Sequence, residues 1–201
     1  MHRHVDDQTL IGHAVRAPSV LNSQPWRFAV DGATLHLYAD RSRQLDALDP
    51  DGRELTISCG AALFYLHIAA QHAGWAPDVQ TLPDAKTPDL LATVTLRPGP
   101  PPPADDRMFR ALSLRSTNRL PFSSEPISSG ALKAMQDTAA AHGAQLHVFE
   151  SESEQARLAE LVSLGVLQQS QDEAIIADIQ AWLRPPSDPR PDGVRDVAQG
   201  A

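Results

Sequence analysis

The sequence predicts an α+β fold in which helices dominate. Helical patterns cover residues 7–15, 53–73 and 128–141, whereas apolar and polar residues alternate as in strands over 26–30 and 34–39. The chain has 201 residues, of which 42% are hydrophobic and 21% charged, values close to the globular average. This length and composition predict about one folded domain with a buried core.

The amino-terminal part is predicted to be a helix followed by a β-hairpin. The helix over 7–15 begins at an aspartate cap and ends before Pro18, because a residue that precedes proline avoids helical backbone angles. The strands 26–30 and 34–39 are joined by an Asp-Gly pair at 31–32. Asp-Gly between alternating apolar residues is among the strongest local signals for a hairpin.

A long helix is predicted next, from residue 53 to 73, with Gly74 at its carboxyl end. Its apolar residues cover more than one stripe, which is typical of a helix in the middle of a core or an interface. Cys59 lies on this helix, and we expect it to be a small buried side chain rather than a nucleophile.

The remaining elements are predicted from the period of their apolar residues and from the glycines and prolines that end helices and strands. They are strands at 79–82 and 91–96, helices at 105–114 and 128–141, a strand at 145–149, and a helix or helix pair at 152–182 that breaks within 165–170. The tail from 185 to 201 contains four prolines and no periodicity, so we expect it to be irregular.

Composition excludes several classes of function. A formal net charge of −8 argues against nucleic acid or an anionic membrane surface as the main partner, since both need a basic face. One cysteine cannot form an internal disulfide or a thiolate metal cage, and we predict no metal site. The first eight residues do not resemble a signal peptide, and the most apolar window is too polar to span a bilayer. We therefore expect a cytoplasmic protein.

The first segment whose side chains could bind a ligand follows the predicted first helix. Ser19, Asn22 and Gln24 deliver one hydroxyl and two amides on a loop before a strand. A carboxamide carries a donor and an acceptor in one plane, which suits the edge of a flat heterocycle that alternates carbonyl and N–H groups. The alternative is a polar turn whose amides bind nearby backbone.

The second segment is rich in cations and hydroxyls. Arg115, Ser116 and Arg119 lie within five residues of one another in the loop that follows the helix at 105–114. Guanidinium groups match the geometry of phosphate oxygens, so the segment predicts a phosphate site. A solvated basic loop is the alternative interpretation.

The motif PSxxNxQPWxF at 18–28 resembles the flavin-contacting segment of the nitroreductase family, FMN-dependent NAD(P)H oxidoreductases of α+β fold with a central sheet, flanking helices and a long core helix. The resemblance implies that Asn22 hydrogen-bonds the isoalloxazine ring, with Ser19 and Gln24 as its neighbours. The segment RSTNRLPF at 115–122 resembles the family's FMN phosphate segment, which implies that Arg115, Ser116 and Arg119 hold the phosphate.

A narrower resemblance is to the Acg-like members of that family, in which two nitroreductase-like halves share one chain. It rests on the phosphate segment following the flavin-contacting one, and on the motifs DxxGRE at 49–54 and CGA at 59–61. It implies that the chain corresponds to the amino-terminal portion, with an incomplete second unit. The implied division is a first half at 1–97, a proline-rich linker at 98–104, the start of a second half at 105–184 and an irregular tail at 185–201.

The resemblance also implies a function. The protein would pass hydride from NAD(P)H through FMN to a small-molecule electron acceptor such as a nitroaromatic or a quinone, with no catalytic side chain required. A homodimer or the missing carboxyl-terminal half would complete the flavin site. The alternatives are a non-catalytic protein that binds or sequesters flavin, and a truncated inactive relative.

Overall fold

A computed structural model describes residues 6–100 and 106–195 of the chain and confirms the α+β class. The chain divides into two compact units, Met1–Thr117 together with Glu173–Ala201, and Asn118–Asp172. None of the described helices is both long enough and apolar enough to cross a membrane.

The helices and strands follow the predicted order closely. The first unit contains α1 (Asp7–Ala14), β1 (Trp26–Asp31), β2 (Thr34–Ala39), α2 (Arg53–His72), β3 (Trp75–Thr81), β4 (Leu90–Pro98), α3 (Arg107–Leu114), α6 (Glu173–Trp182), β5 (Leu183–Arg184) and β6 (Val194–Arg195). The second unit contains α4 (Ser129–Ala141) and α5 (Glu152–Gln169). Short 3₁₀ turns lie at Val20–Asn22 and Arg41–Arg43.

Four antiparallel strands form the main sheet in the order β1-β2-β4-β3. The predicted hairpin is confirmed, since Asp31 pairs with Thr34 and Gly32 has a φ of +58°. Helix α2 packs against the sheet, and α1 packs against α2. The buried core draws on both layers, with side chains from α2 and from the two central strands: Leu55, Ala62, Leu66, Leu35, Leu37, Ala92 and Val94.

The start of α2 is shaped by the DxxGRE motif. The buried carboxylate of Asp49 accepts hydrogen bonds from the backbone N–H groups of Glu54, at 3.0 Å, and Leu55, at 2.9 Å. Gly52 has a φ of +67°, in the left-handed region that favours glycine. Asp49 therefore satisfies two of the donors that every helix leaves unpaired at its amino end.

Aromatic contacts join helix α3 to α1 and α2. The ring of Phe109 stacks on His72 of α2, with centroids 3.6 Å apart, and meets the ring of His13 of α1 edge-on at 4.8 Å. Asp106, at the start of α3, lies 2.6 Å from Nδ1 of His72. These contacts explain why α3 belongs to the same compact unit as the sheet.

The structure differs from two sequence predictions in and beside the second unit. The predicted strand at 145–149 is wrong: these residues form no regular element. A strand needs a neighbouring strand to pair with, and the described residues of this unit contain only the two helices α4 and α5. The predicted helix pair is confirmed, but its break lies at 170–172, and Gly165 remains inside α5.

The second unit exposes much apolar surface. Neither α4 nor α5 contains a buried residue. Its large apolar side chains with more than a third of their surface exposed are Leu120, Phe122, Ile127, Met135, Leu146, Phe149, Leu158, Leu161, Val162, Leu164, Val166 and Leu167.

The compact units do not coincide with the predicted halves. Helix α3 and the tail belong to the first unit, whereas the sequence predicts a boundary at the proline-rich linker, 98–104. Most of that linker, residues 101–104, lies outside the described part of the chain. The tail is irregular from residue 185 to 193, and its strand β6 then pairs in parallel with β5, which directly follows α6. The division into family halves therefore stays a prediction.

We expect stability to fall on acidification because of His13. Burial, then the positive charges of Arg16 and His72, lower the pKa of His13 from its usual value of 6.5. The unfolded chain therefore takes up a proton on this side chain at a higher pH than the folded chain does. The free energy of unfolding should be greatest above about pH 6.5 and should decrease as the pH falls from there towards the lowered pKa.

Urea unfolding between pH 5 and 8 measures this effect. His13→Gln should flatten the dependence in that window, whereas His147→Gln, at an exposed position, should leave it as in the wild type. Equal pH dependence in His13→Gln and the wild type would contradict the assignment.

Candidate functional site

The turn between α1 and β1 holds an uncommon backbone conformation. Leu21, Asn22 and Gln24 have φ values of +45°, +52° and +52°, in the left-handed region that non-glycine residues rarely adopt. Such a residue costs about 1–3 kcal/mol, persists only where its surroundings hold it, and is found most often at functional sites. We call residues 19–24 the left-handed loop.

Hydrogen bonds within the loop and from α2 hold one side of it. The Ser19 hydroxyl oxygen accepts from the backbone N–H of Gln24 at 3.0 Å, which closes the loop on itself. The Ser58 hydroxyl oxygen accepts from the backbone N–H of Val20 at 3.1 Å and donates to a carbonyl one turn back in α2. Ser19 therefore lies at the predicted site, but its hydroxyl is committed to the loop backbone.

The tail holds the other side of the loop. The backbone N–H of Gly193 donates to the carbonyl oxygen of Asn22 at 3.0 Å. In return, Nδ2 of Asn22 donates to the carbonyl oxygens of Pro191, at 3.0 Å, and Gly193, at 2.9 Å. Nε2 of Gln24 donates to the same Pro191 oxygen at 3.2 Å. Both predicted ring-edge amides thus contact a segment of the chain that sequence reasoning left without a role.

A partly buried ion cluster attaches the tail to the loop. The Asp192 carboxylate accepts from Arg43 at 3.0 Å and lies 3.3 Å from Arg184, whose side chain is 6% exposed. Arg43 also donates to the Ser23 carbonyl oxygen at 2.7 Å, so one guanidinium joins tail and loop. Both arginines lie over the ring of Trp182, at 5.6 and 5.2 Å. Burial raises the pKa of Asp192, but hydrogen bonds from the two arginines outweigh it, and the pKa is lowered overall.

Arg115 is oriented by neutral oxygens. Its guanidinium donates to the hydroxyls of Tyr65, at 2.8 Å, and Thr117, at 3.0 Å, and to the carbonyl of Arg16, at 3.2 Å. Among the residues that the structure describes, no carboxylate forms an ion pair with it. Its positive charge is therefore fixed in place but not neutralised, which suits an anionic ligand.

The predicted site residues fall into two groups. Ser19, Asn22 and Gln24 lie together in the left-handed loop, and Arg115 is tied to the backbone just before that loop through the carbonyl of Arg16. Two further predicted residues, Ser116 in the first unit and Arg119 in the second, are exposed. The sequence interpretation did not include Arg43, Arg184 or Asp192, because nothing in their spacing links them to residue 22.

A cavity of about 390 Å³ lies beside the loop, between α1 and β1. Its lining combines four apolar side chains with one amide, one acid and one guanidinium: Ile11, Val15, Trp26, Phe28, Gln24, Asp40 and Arg43. Within residues 6–100 and 106–195, no group of three histidine, cysteine or acidic side chains is arranged to hold a metal ion.

Cys59 supports the loop from α2 and is chemically inert. It is fully buried, and its thiol donates to the carbonyl oxygen of Pro25 at 3.1 Å. Burial raises the pKa of the thiol to about 12, with smaller opposed effects of Arg41 and Asp40. The interpretation of Cys59 as a small buried side chain is confirmed.

We expect Cys59 to resist alkylation by iodoacetamide at pH 8 in the folded protein, since the thiolate is the reactive form. One equivalent should react after unfolding in guanidinium, as measured by intact mass. Ser124→Cys, which adds an exposed thiol, should react at once in the folded state and serves as the control. Rapid labelling of the folded wild type would contradict the structure at this position.

The chain resembles curated proteins from Mycobacterium tuberculosis. It is 34% identical over 206 residues to "Putative NAD(P)H nitroreductase Rv3131", a match that covers 94% of this chain and 59% of that protein. It is 39% identical over 114 residues to "Putative NAD(P)H nitroreductase acg", covering 56% of this chain and 34% of that protein. The chain thus spans less than two thirds of the length of these relatives.

No protein-family model matches the chain. A crystal structure of a nitroreductase family protein from Streptococcus pneumoniae aligns with a TM-score of 0.38 and 17% identity, over 60% of this chain and 88% of that one.

Proposed function

We propose that the chain is an FMN-dependent oxidoreductase of the nitroreductase family, among its Acg-like members, as its similarity to the two mycobacterial proteins supports. It would pass hydride from NAD(P)H to a small-molecule acceptor such as a nitroaromatic or a quinone. The observation that carries the proposal is the guanidinium of Arg115, which neutral oxygens hold in place without an acidic partner.

The donors of Arg115 fit a phosphate. A guanidinium has five N–H groups, and Tyr65, Thr117 and Arg16 accept from one each. Two N–H groups therefore remain, which matches the paired geometry in which arginine binds phosphate oxygens. The Ser116 hydroxyl, in the same compact unit, would add to this phosphate site, and the role that the resemblance implies for Arg119 stays a prediction.

The left-handed loop is our proposed contact for the isoalloxazine ring. Asn22 and Gln24 carry the polar groups for the ring edge, and Ser19 keeps the loop closed behind them. Their hydrogen bonds to the tail fix both carboxamides before any ligand arrives, which lowers the entropy cost of binding.

FMN, when bound, supplies the hydride chemistry. The side chains then have only to bind, orient and exclude water, so we propose no catalytic side chain. A second protein surface would complete the site, from a second copy of the chain or from sequence that corresponds to the rest of the relatives. Binding of flavin without turnover is the second candidate, since the same residues would hold the cofactor whether or not a nicotinamide reaches it.

Titration of the purified chain with FMN, followed by assay of NADPH and NADH oxidation with a nitroaromatic, tests the proposal. Saturable binding with acceptor-dependent oxidation supports the enzyme. Binding without oxidation supports the flavin-binding candidate, and the lack of any FMN binding contradicts both.

We expect Arg115→Ala to weaken FMN binding by about 1.5–3 kcal/mol, the contribution of a hydrogen bond to a charged group. Riboflavin lacks the phosphate, so its affinity should not change. Fluorescence titration with both flavins measures the difference.

Arg110→Ala is the matched control, because it removes an exposed positive charge from α3. It should leave both affinities as in the wild type. If Arg115→Ala weakens FMN and riboflavin equally, Arg115 supports the fold and does not bind the phosphate.

A further inference from the structure

The orientation of the Asn22 carboxamide is determined by the tail. Both hydrogens of Nδ2 are used, because the carbonyl oxygens of Pro191 and Gly193 accept from it at 3.0 and 2.9 Å. Among the described residues, no group donates to Oδ1. The side chain is therefore held with its donors towards the tail, and a ligand meets it as a hydrogen-bond acceptor.

The tail can hold this orientation because its own position is fixed. Asp192 lies between the two residues whose carbonyls bind Asn22, and its carboxylate is held by Arg43 and Arg184. Arg43 binds the Ser23 carbonyl with the same guanidinium, so this side chain bridges loop and tail in addition to the hydrogen bonds of Asn22 and Gln24.

Gly193 makes the close approach of the tail feasible. Its φ is +77°, and a Cβ at this position would lie 2.6 Å from the carbonyl oxygen of Trp182. A residue with a side chain would therefore displace the segment from the end of α6 and from Arg184, which binds Asp192.

We propose that Asp192 is a positioning residue of the flavin site, acting through the tail to present Oδ1 of Asn22 to an N–H group of the ligand. The inference rests on the proposed function, because it takes the isoalloxazine ring as that ligand. Oxidised isoalloxazine has a single ring N–H, at N3, between two carbonyls. Asn22 therefore recognises the pyrimidine edge of the ring at N3.

The experiment compares FMN with FMN methylated at N3. The methyl group removes the N–H donor and leaves the phosphate unchanged. The wild type should bind FMN about 10-fold or more tightly than the N3-methyl analogue, as expected for loss of one hydrogen bond. Asp192→Asn keeps the size of the side chain but removes its charge, and it should bring the two affinities close together.

The ratio of FMN to riboflavin affinity separates positioning from general damage to the fold. In Asp192→Asn this ratio should stay as in the wild type, since the phosphate contacts are elsewhere. Asp188→Asn is the matched control, because Asp188 pairs with Arg190 within the tail. This substitution should change neither the ratio of FMN to N3-methyl FMN affinity nor the ratio of FMN to riboflavin affinity. The second variant is Arg43→Lys, which retains the charge but loses the guanidinium that binds Asp192 and the Ser23 carbonyl together. It should also reduce the preference for FMN over N3-methyl FMN.

The outcomes separate the inference from the function on which it rests. If the wild type binds neither flavin, the proposed function fails and the inference fails with it. If the wild type binds FMN and the N3-methyl analogue equally, only the inference is overturned, and this measurement needs no variant. If Asp192→Asn and Arg43→Lys both fold and both keep the wild-type preference, Asp192 has no positioning role.

Discussion

Three non-glycine residues at positive φ in one short loop are the constraint on which the rest of the site depends. Leu21, Asn22 and Gln24 cannot keep this conformation by themselves, so contacts from other elements have to hold it. Helix α2 contributes the Ser58 hydroxyl. On the other side, the tail contributes the carbonyls of Pro191 and Gly193 and the N–H of Gly193. Contacts from α2 and the tail thus stabilise the strained backbone of the loop. They also orient the carboxamides of Asn22 and Gln24.

Charge is used in two different ways around this loop. Arg43 and Arg184 share the carboxylate of Asp192, and Arg43 also lies 3.7 Å from that of Asp40, so two positive charges meet two negative ones and join segments of the chain. Arg115 is held only by neutral oxygens, so its charge stays available to a ligand. The formal net charge of −8 therefore describes the whole surface and says little about the local field at Arg115.

Elements with local causes could be predicted well. The hairpin follows from Asp-Gly between alternating residues, and α2 from its apolar pattern and its glycines, because these signals act within a few residues. The strand predicted at 145–149 does not form, since pairing depends on a neighbour that the sequence pattern cannot supply. The residues of the site could also be predicted, because they occur in motifs. Their hydrogen-bonding partners could not be predicted from the sequence.

The sequence by itself determined the α+β class, the order of the main helices and strands, and the segments that carry the family motifs. Only the tertiary structure decided which contacts the site residues make. Asn22 and Pro191 are 169 positions apart, and their hydrogen bond depends on the path of the whole first unit. Residue spacing encodes the conformation of neighbours along the chain, whereas contacts of this range arise only when the packed core brings the tail back to the loop.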